Sequence, residues 1–147
     1  MKLVSTCLLG IECKYDGKSN KCNYLIKKVR SEQIIPICPE QLGGLTTPRD
    51  RARIVAGEGI DVLKGKAKVM TYKGKDVTKQ YLKGAKETLK IAKFFNAKEA
   101  ILKADSPSCG CGQIYAEDFS DKKQGDGTTT ALLKKHNIKV KTELTYK

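Results

Sequence analysis

Residues 97–109 read AKEAILKADSPSC. The first seven, Ala97–Lys103, predict a short strand with an apolar centre, and the Ser-Pro-Ser turn after it ends on Cys109 inside the tight loop SPSCGCGQIY. The same junction occurs twice more. Lys2–Thr6 (KLVST) predicts a first strand with Cys7 just beyond it, and Gln33–Ile37 predicts a second with Cys38 just beyond it. Pro36 argues against a central place for that second strand, because proline cannot donate to a ladder. Helical patterns lie between these strands. Asn20–Ser31 carries Leu25, Ile26 and Val29 on one side. Asp76 and Thr78 open a long helix running to about Asn96, with Val77, Tyr81, Leu82, Ala85, Leu89, Ala92 and Phe95 on one face. Thr129–His136 predicts a last helix and Ile138–Lys141 a final strand. The alternation predicts an α/β fold, a Rossmann-like mostly parallel sheet with flanking helices. Gly59–Tyr72 reads as a small β-hairpin excursion, IDVL and AKVM flanking the turn Lys64-Gly65-Lys66.

No repeat, linker or low-complexity tract divides the 147 residues, which predicts one domain over 1–147 with a sizeable core. Hydrophobic residues make up 39% and no apolar run approaches membrane-span length. The start, MKLVSTCLLGIEC, lacks the long apolar region and cleavage site of a signal peptide, so a cytoplasmic protein is expected. The net charge of +13 favours anionic partners, RNA among them. The lysines are scattered, however, and aromatics are only 6%, which fits a solvated basic surface better than a polynucleotide groove.

There are six cysteines, and for a cytoplasmic chain of this size they predict reduced thiols serving metal or catalysis. In a parallel sheet the carboxyl ends of the strands share one edge, and ligands bind there. Cys7, Cys38 and Cys109 are therefore expected to converge, whereas Cys22 at a helix start reads as a packing residue. No C-x2-C pair of the structural zinc type occurs, and His136 is the lone histidine. Thiolates suit zinc, Cu(I) and iron–sulfur clusters alike. Near these thiols, Glu40 in CPE and Ser106 and Ser108 in SPSC are candidates to orient and deprotonate a water. Gly43-Gly44 allows close backbone approach or a tight bend, and Arg49 in TPR can clamp an anion. Gly125–Thr130, entering a helix, is either a phosphate cradle or a plain cap.

Several ordered blocks carry a family resemblance. Ser5-Thr-Cys-Leu-Leu-Gly10, Cys13-Lys-Tyr-Asp-Gly17, Ile37-Cys-Pro-Glu-Gln-Leu-Gly-Gly44, Thr47-Pro-Arg49 and Ser106-Pro-Ser-Cys-Gly110 resemble the thiouracil desulfurase (desulfidase) family over nearly the whole chain. The resemblance implies a 4Fe–4S cluster bound by three cysteines only, leaving one iron not bound by protein. At matching positions these are Cys7, Cys38 and Cys109. It further implies catalytic roles for Glu40 and Ser106, while the residues themselves make Gly43, Gly44, Arg49 and Ser108 the substrate-binding candidates. The implied reaction is non-redox desulfuration of thiolated uracil, as free base or nucleotide, releasing hydrosulfide and restoring the oxo group. A basic RNA-associated module or a zinc-stabilised domain is the alternative. Cys13 also belongs to the family pattern. Arg51-Ala52-Arg53 departs from it, standing where Pro-Ala-Glu is usual, Thr46 stands where Pro is frequent, and Cys22 and Cys111 look peculiar to this chain.

Overall fold

The computed structural model describes residues 1–147. Four parallel strands form the central sheet: β1 (Lys2–Ser5), β2 (Ile34–Ile37), β5 (Glu99–Leu102) and β8 (Lys139–Thr142), in the order β2-β1-β5-β8. The predicted α/β class is what the chain adopts. β2 lies at the sheet edge, which is how the exposed Pro36 is tolerated: its missing N–H faces away from any partner strand. Alternation along the strands buries both faces. Leu3, Ala100 and Leu102 point to one side and pack with Leu89, Ala92 and Leu133 of α4 (Thr78–Phe94) and α5 (Thr128–Lys135). Val4 and Ile101 point to the other and meet Leu25 and Val29 of α1 (Asn23–Val29). No helix is long and apolar enough to cross a membrane.

The excursion after β2 differs from the expected hairpin. Residues 59–63 are a helix, α3 (Gly59–Leu63), not a strand. Glu58 and Asp61 form a reciprocal capping box, with the Glu58 N–H donating to Asp61 Oδ2 at 2.9 Å. That local pair outweighs the apolar run IDVL. The antiparallel partner of β4 (Lys68–Thr71) is instead β3 (Ala52–Val55), which lies before the expected hairpin. A second small hairpin joins β6 (Gln113–Tyr115) to β7 (Lys122–Gln124). Val62, Val69, Tyr81 and Ile114 bury the first hairpin against the main body.

The strand order reverses direction between β1 and β5, so a crevice opens at their carboxyl ends. After β1 the chain makes a 3-10 turn through Cys7, after β2 it enters the short helix α2 (Pro39–Leu42), and after β5 it enters the SPSC loop. Pro39 at the start of α2 has its φ set for a helix and lacks the N–H that would be unpaired there.

Candidate active site

The crevice holds a cavity of about 190 Å³. Its wall includes Cys7, Cys13, Cys38 and Cys109 together with Glu40, Arg49, Ser106 and Ser108. Residues up to 102 positions apart in sequence thus meet at one sheet edge. None of the six cysteines is disulfide-bonded.

Glu40 is gripped at both oxygens. Arg49 Nε donates to Oε1 at 2.9 Å, and Ser108 Oγ donates to Oε2 at 2.7 Å. The rest of the Arg49 fork is also engaged: Nη1 reaches Thr47 Oγ1 at 2.9 Å and Nη2 reaches the Cys13 carbonyl at 2.8 Å. Arg49 therefore holds the Glu40 carboxylate and the Cys13 loop in register, and has little left with which to clamp a substrate anion. Ser106 Oγ accepts the Cys109 N–H at 2.8 Å and lies 3.4 Å from Ser108 Oγ. Because the Ser108 proton goes to the shorter Glu40 contact, the Ser106 hydroxyl is the donor between the two serines. A chain of hydroxyls, Ser106 to Ser108 to Glu40, results.

Gly43 and Gly44 do not line this cavity. A Cβ on Gly43 would lie 2.0 Å from the Gln80 carbonyl oxygen of α4, and one on Gly84 would lie 2.0 Å from the Pro39 carbonyl oxygen. The two helices touch backbone to backbone there, so Gly43 serves packing, and Gly44 makes the turn out of α2 at φ +94°. The Gly125–Thr130 segment is a cap whose donors are taken. The N–H groups of Thr128 and Thr129 bond the Pro107 and Ser108 carbonyls at 2.8 and 2.9 Å, and Thr130 Oγ1 bonds the Cys109 carbonyl at 2.8 Å. The start of α5 builds the SPSC loop and is not a phosphate site.

The thiols occupy unlike environments. Burial pushes Cys109 up to about 12, although the Ser108 and Ser5 hydroxyls, 3.6 and 3.7 Å from its sulfur, pull the other way. Cys38 is lowered to about 7, first by a hydrogen bond from the Cys13 thiol, against burial, and with help from the Gln41 N–H in α2. Cys7 is also lowered, again chiefly by the Cys13 thiol. Cys13 is correspondingly raised, since it keeps its single proton, which the Cys38 and Cys7 sulfurs share. Sequence reading did not single out Tyr81, whose hydroxyl is buried beside Glu40 and raised well above the usual phenol range by that burial. Nor did it find Ser5, which ties the Lys103 N–H to the Cys109 sulfur. Both carry apolar or cap-like patterns in sequence and become site residues only through the fold.

No three His, Cys, Asp or Glu side chains close around one point tightly enough for a single ion. His136 is exposed at the far end of α5. A thiol set without histidine or carboxylate ligands, spread around a cavity, fits an iron–sulfur cluster better than a zinc ion.

A profile of the 2-thiouracil desulfurase family matches residues 3–145. The chain is 49% identical over 144 residues to the uncharacterized protein YbbK of Bacillus subtilis (strain 168), covering 97% of this chain and 95% of that protein. Its fold superposes on a solved structure described as the 4Fe–4S-dependent thiouracil desulfidase TudS. The TM-score is 0.83 at 39% identity, covering 96% of this chain and 89% of that one.

Proposed function

This chain belongs to the 2-thiouracil desulfurase family, and from that premise we propose that it is a 4Fe–4S-dependent desulfidase. It removes sulfur from thiolated uracil, the whole of residues 1–147 acting as one catalytic domain. Cys7, Cys38 and Cys109 would hold the cluster. They follow β1, β2 and β5 and come from three separate segments, as a wide group needs. Cys13 would be the thiol that hydrogen-bonds two of them. A reducing compartment such as the cytoplasm suits six unpaired thiols.

A cluster held on three thiolates offers a thiophilic Lewis acid to the thiocarbonyl sulfur. The chain's own residues do the rest. Glu40 accepts a proton from water as the water oxygen bonds to the thiocarbonyl carbon. The carbon–sulfur bond then breaks, sulfur leaves as hydrosulfide, and the ring regains its oxo group with no net redox change. Arg49 keeps the Glu40 carboxylate aimed. The Ser106–Ser108 pair carries protons between the cavity and Glu40 and keeps the carboxylate from rotating. The wall is partly apolar, including Ile37 and Ala52, with Tyr81 beside the carboxylate. This limits competing water and strengthens the charge interactions.

The observation that carries this reading is the gathering of four thiols and the Glu40–Ser108 pair around one cavity. Anaerobic reconstitution with iron and sulfide, followed by sulfide release from 2- and 4-thiouracil and their nucleotides, tests it. A brown protein that releases sulfide is expected. A colourless protein that takes up zinc and releases none would end it.

A further inference from the structure

Helix α4 carries a row of lysines on its outer side. Lys79, Lys83, Lys86, Lys90 and Lys93 are all exposed and follow one another at spacings of four, three, four and three residues. At 3.6 residues per turn these spacings confine the five to about 80° of the helix surface, in a line about 21 Å long. The core-facing residues Tyr81, Ala85, Thr88, Leu89 and Ala92 lie on the opposite side. Lysines that look scattered over the sequence thus include one set that a helix gathers.

The row is almost free of counter-charge. Glu87 is the one acid in α4, and it pairs with Lys90 at 2.9 Å. Asp76, just before the helix, goes to Lys68 at 4.0 Å. Lys79, Lys83, Lys86 and Lys93 belong to none of the ion pairs. Like charges three and four residues apart repel and weaken a helix. A bound polyanion turns that repulsion into attraction. Phe94 stands at the end of the row, four residues on from Lys90, and is 82% exposed. Phe95 meets its ring at 5.0 Å and 75°, a T-shaped contact that cannot cover both faces. A row of ammonium groups beside an open aromatic face suits single-stranded nucleic acid, with phosphates on the cations and a base on the ring. An anionic membrane would be met by a helix that inserts its apolar face, and the apolar face of α4 is turned into the core.

We propose that the outer face of α4 is a docking surface for single-stranded RNA, held through its phosphates by the lysine row and through one base stacked on Phe94. RNA is chosen over DNA because it is the polynucleotide built with uracil, the ring on which the proposed reaction acts. That choice alone rests on the desulfuration reading above; the surface itself does not. None of the five lysines lines the cavity, so the strand docks on the outside of the helix without entering the catalytic site.

The test is fluorescence anisotropy of a labelled oligouridylate of about 12 nucleotides with the cluster-loaded protein, over a series of salt concentrations. The wild type should bind with a steep salt dependence. Replacing Lys79, Lys83, Lys86 and Lys93 together by glutamine, which keeps the helix propensity of lysine, removes four phosphate contacts. Binding should weaken by about a hundredfold or more at about 50 mM salt, and the slope of log K against log salt should flatten by about 0.7 per lysine removed. A control with Lys64→Gln, Lys66→Gln, Lys139→Gln and Lys141→Gln, all exposed, removes the same charge elsewhere. It should bind within about threefold of the wild type, because screening confines each charge to its surroundings. Phe94→Ala should lose about fivefold to a hundredfold in affinity with the salt slope unchanged. No binding by the wild type, equal losses in the two quadruple variants, or wild-type affinity in Phe94→Ala would overturn the proposal. So would retention by phosphatidylserine vesicles in place of RNA. Sulfide release from free thiouracil should be unchanged in the α4 quadruple variant, whose replaced residues lie outside the cavity. RNA binding lost in that variant supports the surface even if the wild type releases no sulfide, an outcome that would sink only the underlying reading.

Discussion

Ser108 Oγ donates to Glu40 Oε2 across 2.7 Å, joining the loop after β5 to the first turn of α2, 68 residues away. The bond sets one carboxylate oxygen, and Arg49 sets the other. Glu40→Gln preserves the shape and removes the base. Its iron and labile sulfide content should match the wild type, while sulfide release falls by about 10²- to 10⁴-fold. Ser108→Ala leaves Glu40 loosely aimed, and a loss of about tenfold is expected. Wild-type turnover in Glu40→Gln, measured on protein of equal iron content, would remove Glu40 from the mechanism.

Arg49 and Glu40 have side chains only 8% and 13% exposed, so this is a desolvated pair and not a surface one. Removing the cation strands the carboxylate and frees the Cys13 carbonyl. Arg49→Met should therefore destabilise the fold by about 3–5 kcal/mol in urea titration. The double variant with Glu40→Gln should recover part of that loss, because no buried charge is then left alone. Additive effects would show that the two residues act independently.

Strand ends were legible in sequence because each is marked by a change from apolar run to Gly, Pro or Ser, as at Ile37-Cys38-Pro39 and Leu102 to Ser106. That sufficed to bring Cys7, Cys38 and Cys109 to one edge. What sequence could not give is partner choice between distant segments. Gly43 read as a ligand contact because a glycine that meets a ligand and one that meets a helix backbone look alike until Gln80 is placed beside it. Arg49 read as an anion clamp because its anion, Glu40, lies across a cis Thr47-Pro48 turn. IDVL read as a strand because apolar content alone does not reveal a capping box.

The α2–α4 contact yields a prediction opposed to helix propensity. Alanine is favoured over glycine by about 1 kcal/mol inside a helix, and Gly84 is interior to α4. Yet its Cβ would lie 2.0 Å from the Pro39 carbonyl oxygen, which is backbone and cannot move aside cheaply. Gly84→Ala should lower the thermal midpoint by several degrees, consistent with about 1–3 kcal/mol of overpacking. A more stable Gly84→Ala would mean that the helices are farther apart than described.

Cluster retention should separate the thiols by role. Cys7→Ala, Cys38→Ala and Cys109→Ala are each expected to lose iron and colour after anaerobic reconstitution. Cys13→Ala should retain iron, with an altered visible spectrum, because it removes a thiol proton shared between the Cys7 and Cys38 sulfurs and no ligand. Cys111→Ala should be unchanged, since that sulfur lies outside the cavity, 3.5 Å from the Val140 carbonyl. A colourless Cys13→Ala alongside a brown Cys7→Ala or Cys38→Ala would reassign the ligand set.

Alkylation of the metal-free chain tests the thiol environments directly. Cys38, lowered to about 7, is roughly half thiolate at neutral pH, whereas Cys109, raised to about 12, is thiolate in only about one molecule in 10⁵. The higher-pKa thiolate is intrinsically more nucleophilic, by about 10² over five units. Cys38 should still react about 10²- to 10³-fold faster, and burial of Cys109 widens the gap. Both rates rise with pH but differ in shape. The Cys38 rate should rise through pH 7 and level off, while the Cys109 rate climbs about tenfold per unit without a plateau up to pH 9. Removing the Cys13 hydrogen bond withdraws the main cause of the low Cys38 value, so Cys13→Ala should move the Cys38 inflection upward, toward the ordinary 9.0. Mass spectrometry of timed iodoacetamide digests reads all three quantities, and Cys109 labelled first would contradict the buried placement that the cluster site depends on.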